Sequence, residues 1–263
     1  MSTTVLLPHQ LDRVITIEAS PDTVFSFFTD PERWAKWWGS GSTIDARPGG
    51  RMLIHHANGI EVSGEVLSIE VPRRIVFTYG YASGTPIPPG ASRVTIDLQP
   101  VASGTRLHLF HEFADQVPRD HHVQGWRYQL ALFANVVMDL LHDGAPSLVD
   151  RWFAAWNELD PIARQESVEE LVAPDVQFKD RFGLTGGVEE LLGHIAAVHQ
   201  FMPGLRLKRT GEVRHCQGLV LADWIAVGKD NQERARGTNA YALSADGRIA
   251  AVTGFWSNHP SAV

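Results

Sequence analysis

A long stretch with helical periodicity, residues 119–142, constrains the fold of the first half of the chain most strongly. Its apolar residues recur at intervals of three and four, as on one face of an amphipathic helix: Val123, Trp126, Leu130, Phe133, Val137 and Leu140. A strand, VITIEAS, is predicted near the start of the chain, and five further strand-like stretches, separated by turns such as PGG, NG and PPG, precede the helix. The first half is therefore predicted to be a curved, meandering antiparallel sheet with one long helix lying across it.

Two short helices are predicted near the start of the chain. Residues 20–22 (SPD) and 30–32 (DPE) each supply a capping oxygen, a first-turn proline and an acid at the positive helix end. The second helix carries Trp34, Trp37 and Trp38, whose spacing places the rings on or near one side. The cluster either packs on the core or forms part of a ligand cage, and Trp38 is kept as a candidate ligand-binding residue.

Several spaced motifs of the first half agree with one known family. They are ASPDTVFSFFTDPERWAKWW, ARPGGRM, SGEVLSIEVPRRIVFTY and VTIDLQPVASGTRLHLFH. Over about its first 142 positions the chain resembles the START-like (SRPBCC) superfamily, in the branch named after the activator of the heat-shock ATPase. The resemblance implies a helix-grip domain with an apolar pocket between sheet and helix. It implies no single activity, since relatives bind lipids or polyketide-like molecules, confer resistance by sequestration or stimulate a chaperone.

His111 and Trp126 are further candidate ligand-binding residues of this half. His111 shares a strand face with apolar neighbours such as Leu109, so it is either a polar group in the pocket or a core histidine bonded to backbone. The adjacent histidine pairs at 55–56 and 121–122 point away from each other on a strand or helix and do not converge on one ion. No metal site and no cofactor are expected.

The second half begins after HDGAPS, residues 142–147, where glycine and proline end the long helix and Ser147 is expected to cap the next one. The predicted domains are 1–143 and 147–263. A helix with the apolar stripe Val149, Trp152 and Trp156 comes first. Two further helices and four long strands follow, the strands being LRLKRTGEVRH, GLVLADWIAVG, ERARGTNAYALS and RIAAVTGFWS. Helices followed by strands predict an α+β domain.

The motifs WNELD, LVAPDVQFKDRFG, FMPGLRL and ALSADGRIAAVTGFW occur in this order in the second half. Over about residues 147–258 the chain resembles the nuclear-transport-factor-two-like superfamily, in its SnoaL-like branch. The resemblance implies a cone-shaped α+β barrel with a bent antiparallel sheet. The superfamily includes ketosteroid isomerases, polyketide cyclases, dehydratases, epoxide hydrolases and many non-catalytic binding proteins.

A carboxylate stands on an apolar strand face in this half. In an extended chain Val176, Phe178, Asp180 and Phe182 point the same way, and three of the four are apolar. Burial raises the pKa of a carboxyl group, and a base tuned in this way can take a proton from a carbon next to a carbonyl. In similar isomerases and cyclases an acidic residue at the position matching Asp180 does this work. Asp180 is therefore the candidate catalytic base.

The resemblance also indicates where donors to an oxyanion would lie, and here the chain departs from ketosteroid isomerases. Their tyrosine on the first helix corresponds to Trp152, whose indole N–H is a weaker donor. Their protonated acid corresponds to Asn239, whose amide can still donate. The steroid reaction is not expected, whereas a related enolisation, cyclisation, hydration or ring opening stays open.

Two histidines of the second half share predicted inward faces with apolar residues. His194 lies on the helix stripe of Leu191, and His215 has the strand parity of Leu207. Either histidine pairs with Asp180 and holds it ionised, or it is a satisfied core residue. The candidate catalytic residues are Asp180, His215 and Asn239. The candidate ligand-binding residues of this half are Trp152, Trp156, Phe178, Phe182, His194, Trp224 and Tyr241.

Charge and composition restrict the partners. The net charge of −7 and the lack of a basic patch argue against nucleic acid. The start of the chain lacks signal-peptide features, no apolar run reaches membrane-spanning length, and the single Cys216 forms no internal disulfide, so a cytoplasmic location without a membrane partner is expected. The strand GLVLADWIAV has apolar residues on both faces, which fits a homodimer through this sheet or burial against the first domain.

These observations predict a protein with two cavities that bind an apolar polyketide-, steroid- or lipid-like molecule, with isomerase, cyclase or hydratase chemistry at Asp180. One alternative is a binding or sequestering protein without turnover. The other alternative is a regulator of a chaperone ATPase, which rests only on the name of the family that the first half resembles.

Overall fold

The computed structural model describes residues 6–257. The chain divides into two compact units between Met138 and Asp139, within the last turn of a long helix. The domain limits expected from the sequence, 1–143 and 147–263, lie close to this division and stay predictions. None of the helices within residues 6–257 combines the length and apolar character that a membrane crossing requires.

In its described part the N-terminal unit contains one sheet of seven strands and three helices. The strands are β1 (His9–Ile17), β2 (Thr43–Ile44), β3 (Arg51–His55), β4 (Glu61–Glu70), β5 (Arg74–Tyr81), β6 (Ser92–Val101) and β7 (Gly104–Phe113). The helices are α1 (Pro21–Ser26), α2 (Pro31–Trp38) and α3 (Gln116–Leu141). The strand order is β1-β7-β6-β5-β4-β3-β2, and all neighbouring strands are antiparallel. The predicted meander is confirmed.

Helix α3 buries the stripe that its sequence predicts. Trp126, Leu130, Phe133 and Val137 are at most 4% exposed. The ring of Phe133 lies 5.1 Å from that of Phe28, and α2 joins the same aromatic core. One face of the sheet is thereby covered by α3 with the short helices beside it, as the helix-grip resemblance implies.

Asp30 caps helix α2, which carries the three tryptophans of this core. Its carboxylate accepts hydrogen bonds from the backbone N–H groups of Glu32 and Arg33, at 2.8 and 3.2 Å. Replacing Asp30 by alanine is expected to lower the free energy of unfolding by about 1 kcal/mol, because both N–H groups lose their acceptor. Asp30→Asn keeps an acceptor and should cost much less. Hydrogen-exchange mass spectrometry across a denaturant series reports on each unit separately and measures the loss of stability in both variants. Equal losses in Asp30→Ala and Asp30→Asn would contradict the capping role.

Up to residue 257, where the described chain ends, the C-terminal unit contains three helices and a sheet of six strands. The helices are α4 (Ala145–Asn157), α5 (Pro161–Leu171) and α6 (Val188–Phe201). The strands are β8 (Val172–Lys179), β9 (Leu184–Gly186), β10 (Arg206–Cys216), β11 (Leu219–Val227), β12 (Glu233–Leu243) and β13 (Ile249–Trp256), in the order β10-β11-β12-β13-β8-β9. The predicted α+β class is confirmed for this unit too.

Two details of this unit differ from the sequence-based expectations. Helix α4 begins at Ala145 with Gly144 at its cap and no side-chain cap, so the prediction that Ser147 caps it is wrong. Strand β8 pairs with β13 in parallel, whereas the other strand pairs are antiparallel. The two parallel strands are far apart in the chain, so no tight turn imposes an antiparallel arrangement on them.

The helices pack on one face of the sheet and form the core of the unit. Trp152 of α4, Ile195 of α6 and Tyr241 of β12 are at most 1% exposed. Register shifts between Thr210 and Arg214 and near the ends of β12 and β13 introduce bulges, which bend strands. The cavity described below lies at the end of this core where β8 stops.

Candidate functional site

Asp180 lies in a turn that begins where β8 ends. The strand stops at Lys179, so the strict alternation that predicts a shared face for Phe178, Asp180 and Phe182 does not extend past it. One oxygen of the Asp180 carboxylate, Oδ1, accepts hydrogen bonds of 2.7 Å from the backbone N–H groups of Phe182 and Gly183. The carboxylate therefore sits at the rim of the core, half-buried and held by its own turn, and not deep inside an apolar face.

The second carboxylate oxygen of Asp180 faces the last strand. Trp256 donates its indole N–H to Asp180 Oδ2 at 3.2 Å. With the two backbone donors this makes three N–H groups that hold one carboxylate. They also fix where its remaining lone pairs point.

Asn239 lies next to Asp180 across a glycine of β13. A methyl group on Gly254 would come within 3.0 Å of Asp180 Cβ and 3.3 Å of Asn239 Oδ1. Asn239 pairs with Gly254 in the β12–β13 ladder, which fixes this arrangement. The structure thus brings together Asp180 and Asn239, two of the three predicted catalytic residues.

The orientation of the Asn239 amide follows from its neighbours. Trp224 donates its indole N–H to Asn239 Oδ1 at 2.9 Å, and an indole can only donate. Asn239 Nδ2 donates to the Tyr241 hydroxyl at 3.1 Å. An amide nitrogen carries two hydrogens, and among the described residues only Tyr241 accepts one of them.

A cavity of about 80 Å³ opens between these polar groups and the helices. Its walls are mostly aromatic and aliphatic. The residues that line it are Trp152, Phe153, Trp156, Phe178, Asp180, Phe182, His194, Val198, Met202, Leu205, Leu207, Trp224, Asn239, Gly254 and Trp256. Asp180, Asn239 and His194 are the polar members, so the cavity has one polar end in an apolar enclosure.

His194 reaches the cavity from α6. Its ring lies 5.2 Å from that of Phe178 and 5.8 Å from that of Trp156. Gly183 packs against the same ring, since a methyl group on Gly183 would come within 2.7 Å of it. Gly183, which closes the Asp180 turn, therefore also contacts the ring of His194.

His215 is not a cavity residue, and the expectation that it pairs with Asp180 is not met. Its Nδ1 bonds to Asp139 Oδ1 at 2.9 Å, and its Nε2 accepts from the Gly218 backbone at 3.0 Å. His142 lies 3.3 Å from the same Nε2. His215 keeps the sheet face of Leu207, because the register shift after Thr210 is two residues and His215 pairs with the buried Val220, but it lies near the far end of β10, beside Asp139 and His142.

Tyr241 and Phe182 also lie differently from the expectation. Tyr241 is fully buried behind the cavity, where it holds Asn239, and burial raises the pKa of its hydroxyl. Phe182 lines the mouth but is 62% exposed, with its ring edge-on to Trp256 at 4.9 Å. Tyr241 is thus a positioning residue for Asn239, and Phe182 borders the opening.

Sequence reasoning missed Trp256, which donates to Asp180. The signal was present, because Val252, Gly254 and Trp256 share one parity in β13 and Val252 is buried. Val198, Met202 and Leu205 lie on apolar faces that the sequence predicts, but their role as an aliphatic wall of the cavity was not predicted. It arises where the end of α6 and the start of β10 converge, which sequence spacing does not reveal.

The N-terminal unit has a second pocket of about 250 Å³. Trp38 and Trp126 line it as predicted, whereas His111 lies beneath it and is fully buried. Trp126 donates its indole N–H to His111 Nδ1 at 2.9 Å, and His111 Nε2 lies 2.8 Å from Ser92 Oγ. His111 is a satisfied core histidine, although its partners are side chains and not the backbone.

Buried histidines make the N-terminal unit sensitive to acid. Burial lowers the pKa of His111 well below 6.5, and the neighbouring His122 adds to the effect. In the unfolded chain His111 takes up a proton near pH 6.5, whereas in the folded unit it stays neutral to a lower pH. The free energy of unfolding should therefore fall as the pH drops below 6.5, and it should stop falling once the pH is below the pKa of His111 in the folded unit.

His111→Gln removes this titration. Between pH 7.5 and 5.0 the free energy of unfolding of this variant should therefore change less than that of the unmodified protein. The difference between the two should be at most about 1.4 kcal/mol per pH unit. The exposed His121, replaced in the same way, serves as the control. Urea denaturation at both pH values measures the difference, and an unchanged slope in His111→Gln would refute the assignment.

No group of three or more His, Cys, Asp or Glu side chains within residues 6–257 is arranged to hold a metal ion.

Two family models match the chain. Residues 18–138 match the family described as activator of Hsp90 ATPase homolog 1-like protein, and residues 149–252 match the SnoaL-like domain. The chain joins an SRPBCC-like domain to a SnoaL-like domain. Both resemblances drawn from the sequence are confirmed, and these families are compatible with ligand binding or with isomerase- or cyclase-type function. No curated protein matches the chain.

Solved structures similar to the chain cover one half of it each. A protein of the SnoaL-like family from Agrobacterium tumefaciens is 26% identical, with a TM-score of 0.43, over 45% of this chain and 99% of its own. CalU16 from Micromonospora echinospora is 27% identical, with a TM-score of 0.40, over 49% of this chain and 74% of its own. The Aha1 dimer from Colwellia psychrerythraea is 17% identical, with a TM-score of 0.41, over 46% and 90%.

Proposed function

We propose that the SnoaL-like unit binds a small, mainly apolar carbonyl compound in its aromatic cavity and moves a proton on it through Asp180. The observation that carries the proposal is the pairing of a carboxylate with an amide at one end of an otherwise apolar cavity, only a glycine apart. The same pairing supports proton abstraction with stabilisation of the oxygen that becomes negative.

The proposed proton transfer needs only the bound carbonyl compound, Asp180 and Asn239. A carbon next to the carbonyl of the bound molecule gives its proton to a carboxylate oxygen of Asp180. The electron pair moves onto the carbonyl oxygen, which the free N–H of Asn239 stabilises by a hydrogen bond. Return of the proton to the same or another carbon completes an isomerisation or an exchange.

The size of the cavity restricts the ligand. A cavity of about 150 Å³ is enough for benzene, and this one measures about 80 Å³. A steroid-sized molecule does not fit in it as it stands. One edge of a small cyclic ketone or one end of a longer molecule fits, with the rest passing the exposed side chains of Phe182 and Met202 at the mouth.

A binding role without turnover is the second candidate. The position of the ketosteroid isomerase tyrosine carries Trp152, which has no hydroxyl group to donate. In this second candidate function the apolar cavity would bind and sequester such a molecule without converting it.

One experiment separates the two candidates. Small cyclic ketones are incubated with the protein in deuterated water, and NMR follows both line broadening, which reports binding, and loss of the α-proton signals, which reports exchange. Enzymatic exchange above the buffer rate supports proton transfer. Broadening without exchange supports binding alone, and neither effect with any ketone would refute the proposal.

A further inference from the structure

A groove of about 490 Å³ adjoins the cavity of Asp180. Met202 and Leu205 line both, so the two spaces meet at the turn that links α6 to β10. The other residues that line the groove are Pro203, Gly228, Lys229, Asp230 and Arg234. Since the cavity itself measures only about 80 Å³, a ligand that is longer than its carbonyl end can continue into the groove.

The groove lies at the same end of the sheet as the polar end of the cavity. Trp256, which donates to Asp180, pairs with Gly237 in the β12–β13 ladder, and Gly237 pairs with Trp224 of β11. The turn 228–232 joins β11 to β12 just beyond this pair. It therefore stands at the end of the sheet where the cavity opens, close to the part of a ligand that extends out of the mouth.

The side chain of Lys229 lies against the turn at which the cavity and the groove meet. Gly204, within that turn, has a φ of +81°, a conformation that favours glycine. A Cβ on Gly204 would come within 2.3 Å of Lys229 Cε and 2.5 Å of Lys229 Cγ, so the aliphatic stem lies directly on the backbone there. Lysine stems commonly cover apolar surface in this way while the ammonium group stays in water. The charge is thereby held beside the wall that cavity and groove share.

The groove has a net positive charge. Asp230 accepts hydrogen bonds from Arg234 at 2.7 Å and from the backbone N–H of Gln232 at 3.1 Å, so both of its oxygens are engaged within the turn. Lys229 forms no hydrogen bond or ion pair with any of residues 6–257. Two positive side chains and one negative side chain give the groove a charge of +1, in a chain whose net charge is −7. An unpaired ammonium group beside an apolar cavity favours a ligand with an anionic group outside that cavity.

The two charges fix the orientation of such a ligand. An anionic group next to the Asp180 carboxylate would meet a like charge, whereas at Lys229 it meets an opposite one. We propose that the compound bound in the Asp180 cavity is a keto acid, with its carbonyl group inside the cavity and its carboxylate paired with Lys229 in the groove. A carboxylate suits the groove because its single negative charge balances the net charge of the groove. The inference rests on the proposed function, since the Asp180 cavity must hold the carbonyl end, and it names the class of compound.

Acids and methyl esters of the same ketones test the pairing. Cyclohexanones that carry an alkanoate chain of increasing length next to the carbonyl are compared with their methyl esters by NMR titration of the full chain at pH 7. The acid whose chain length fits best should bind about fivefold more tightly than its ester, which corresponds to an exposed ion pair worth about 1 kcal/mol. Sodium chloride at about 0.5 M should remove most of this difference, because salt screens exposed charges.

Variants of two exposed lysines separate the pairing from the net charge of the unit. Lys229→Met keeps an apolar stem on Gly204 and should weaken binding of the acid about fivefold, so that acid and ester bind equally. Lys208→Met is the matched control, because Lys208 is exposed on β10 and lines neither the cavity nor the groove. In this control the preference for the acid should persist. A preference that survives in Lys229→Met, or equal affinities of acid and ester in the unmodified protein, would overturn the inference.

The proposed function is tested separately on the same samples. Loss of the α-proton signals of unsubstituted cyclohexanone in deuterated water reports the chemistry of Asp180 on a ligand without a carboxylate. Exchange of cyclohexanone without any preference for the acids would refute the inference alone. Asp180→Asn should stop the exchange, and the folded variant should still bind the acid more tightly than its ester. If neither the ketones nor the keto acids bind, both proposals fail.

Discussion

Asp180→Asn is expected to slow α-proton exchange of a bound cyclic ketone by at least about 100-fold, the lower end of what a positioned acid–base group contributes. Asparagine can still accept hydrogen bonds from the backbone of Phe182 and Gly183 through its side-chain oxygen, so the turn should persist, whereas the bond from Trp256 to the second oxygen is lost. What it loses is the ability to take a proton. NMR exchange rates at saturating ketone measure the effect, and circular dichroism confirms folding.

A matched control is available on the same strand. Asp175 lies on β8 with an exposed side chain and does not line the cavity. Asp175→Asn removes the same charge from the unit, so its exchange rate should equal that of the unmodified protein. Equal slowing in both variants would assign the effect to net charge, and full activity in Asp180→Asn would remove this residue from the chemistry.

The fold could be predicted because its signals are local and repeated. Helix α3 follows a stripe of apolar residues at helical spacing, and Asp30 caps α2 through contacts within three residues. Patterns of this kind depend on backbone geometry over a few residues, and tertiary contacts reinforce them. Both family resemblances rest on many such elements in order, which is why they were confirmed.

The site was predictable only in part, because strand parity fails where a strand ends and does not show which end of a sheet face a residue occupies. Asp180 follows the last residue of β8, and its carboxylate closes a turn instead of continuing the alternation. His215 shares the sheet face of Leu207 but lies near the other end of β10, where it bonds to Asp139. Asn239 came from the resemblance and lies beside Asp180 as that resemblance implies, because the β12–β13 register fixes it. The contact between Asp180 and Trp256 joins residues 76 positions apart, and no local pattern encodes such a pairing.

Trp152→Ala is expected to lower the free energy of unfolding of the C-terminal unit by about 3–5 kcal/mol, as other truncations of buried large aromatic residues do. Trp152 is 1% exposed, and its ring lies 5.8 to 6.4 Å from the rings of Trp156, Phe178 and Tyr241. Its loss removes a wall shared by the core and the cavity. Since a domain is stable by only about 5–15 kcal/mol, this loss would be a large part of the stability of the unit.

The control for this loss is Phe201→Ala on helix α6, where the ring is 77% exposed and the expected change is within about 0.5 kcal/mol. Hydrogen-exchange mass spectrometry across a denaturant series assigns each effect to residues of one unit. Indole matches the missing side chain in shape, so its addition should restore part of the stability of Trp152→Ala and none in Phe201→Ala, because a ligand stabilises only the fold whose cavity it fills. A small loss in Trp152→Ala without rescue by indole would show that the core collapses into the space, and that the cavity beside Asp180 is not held open by this side chain.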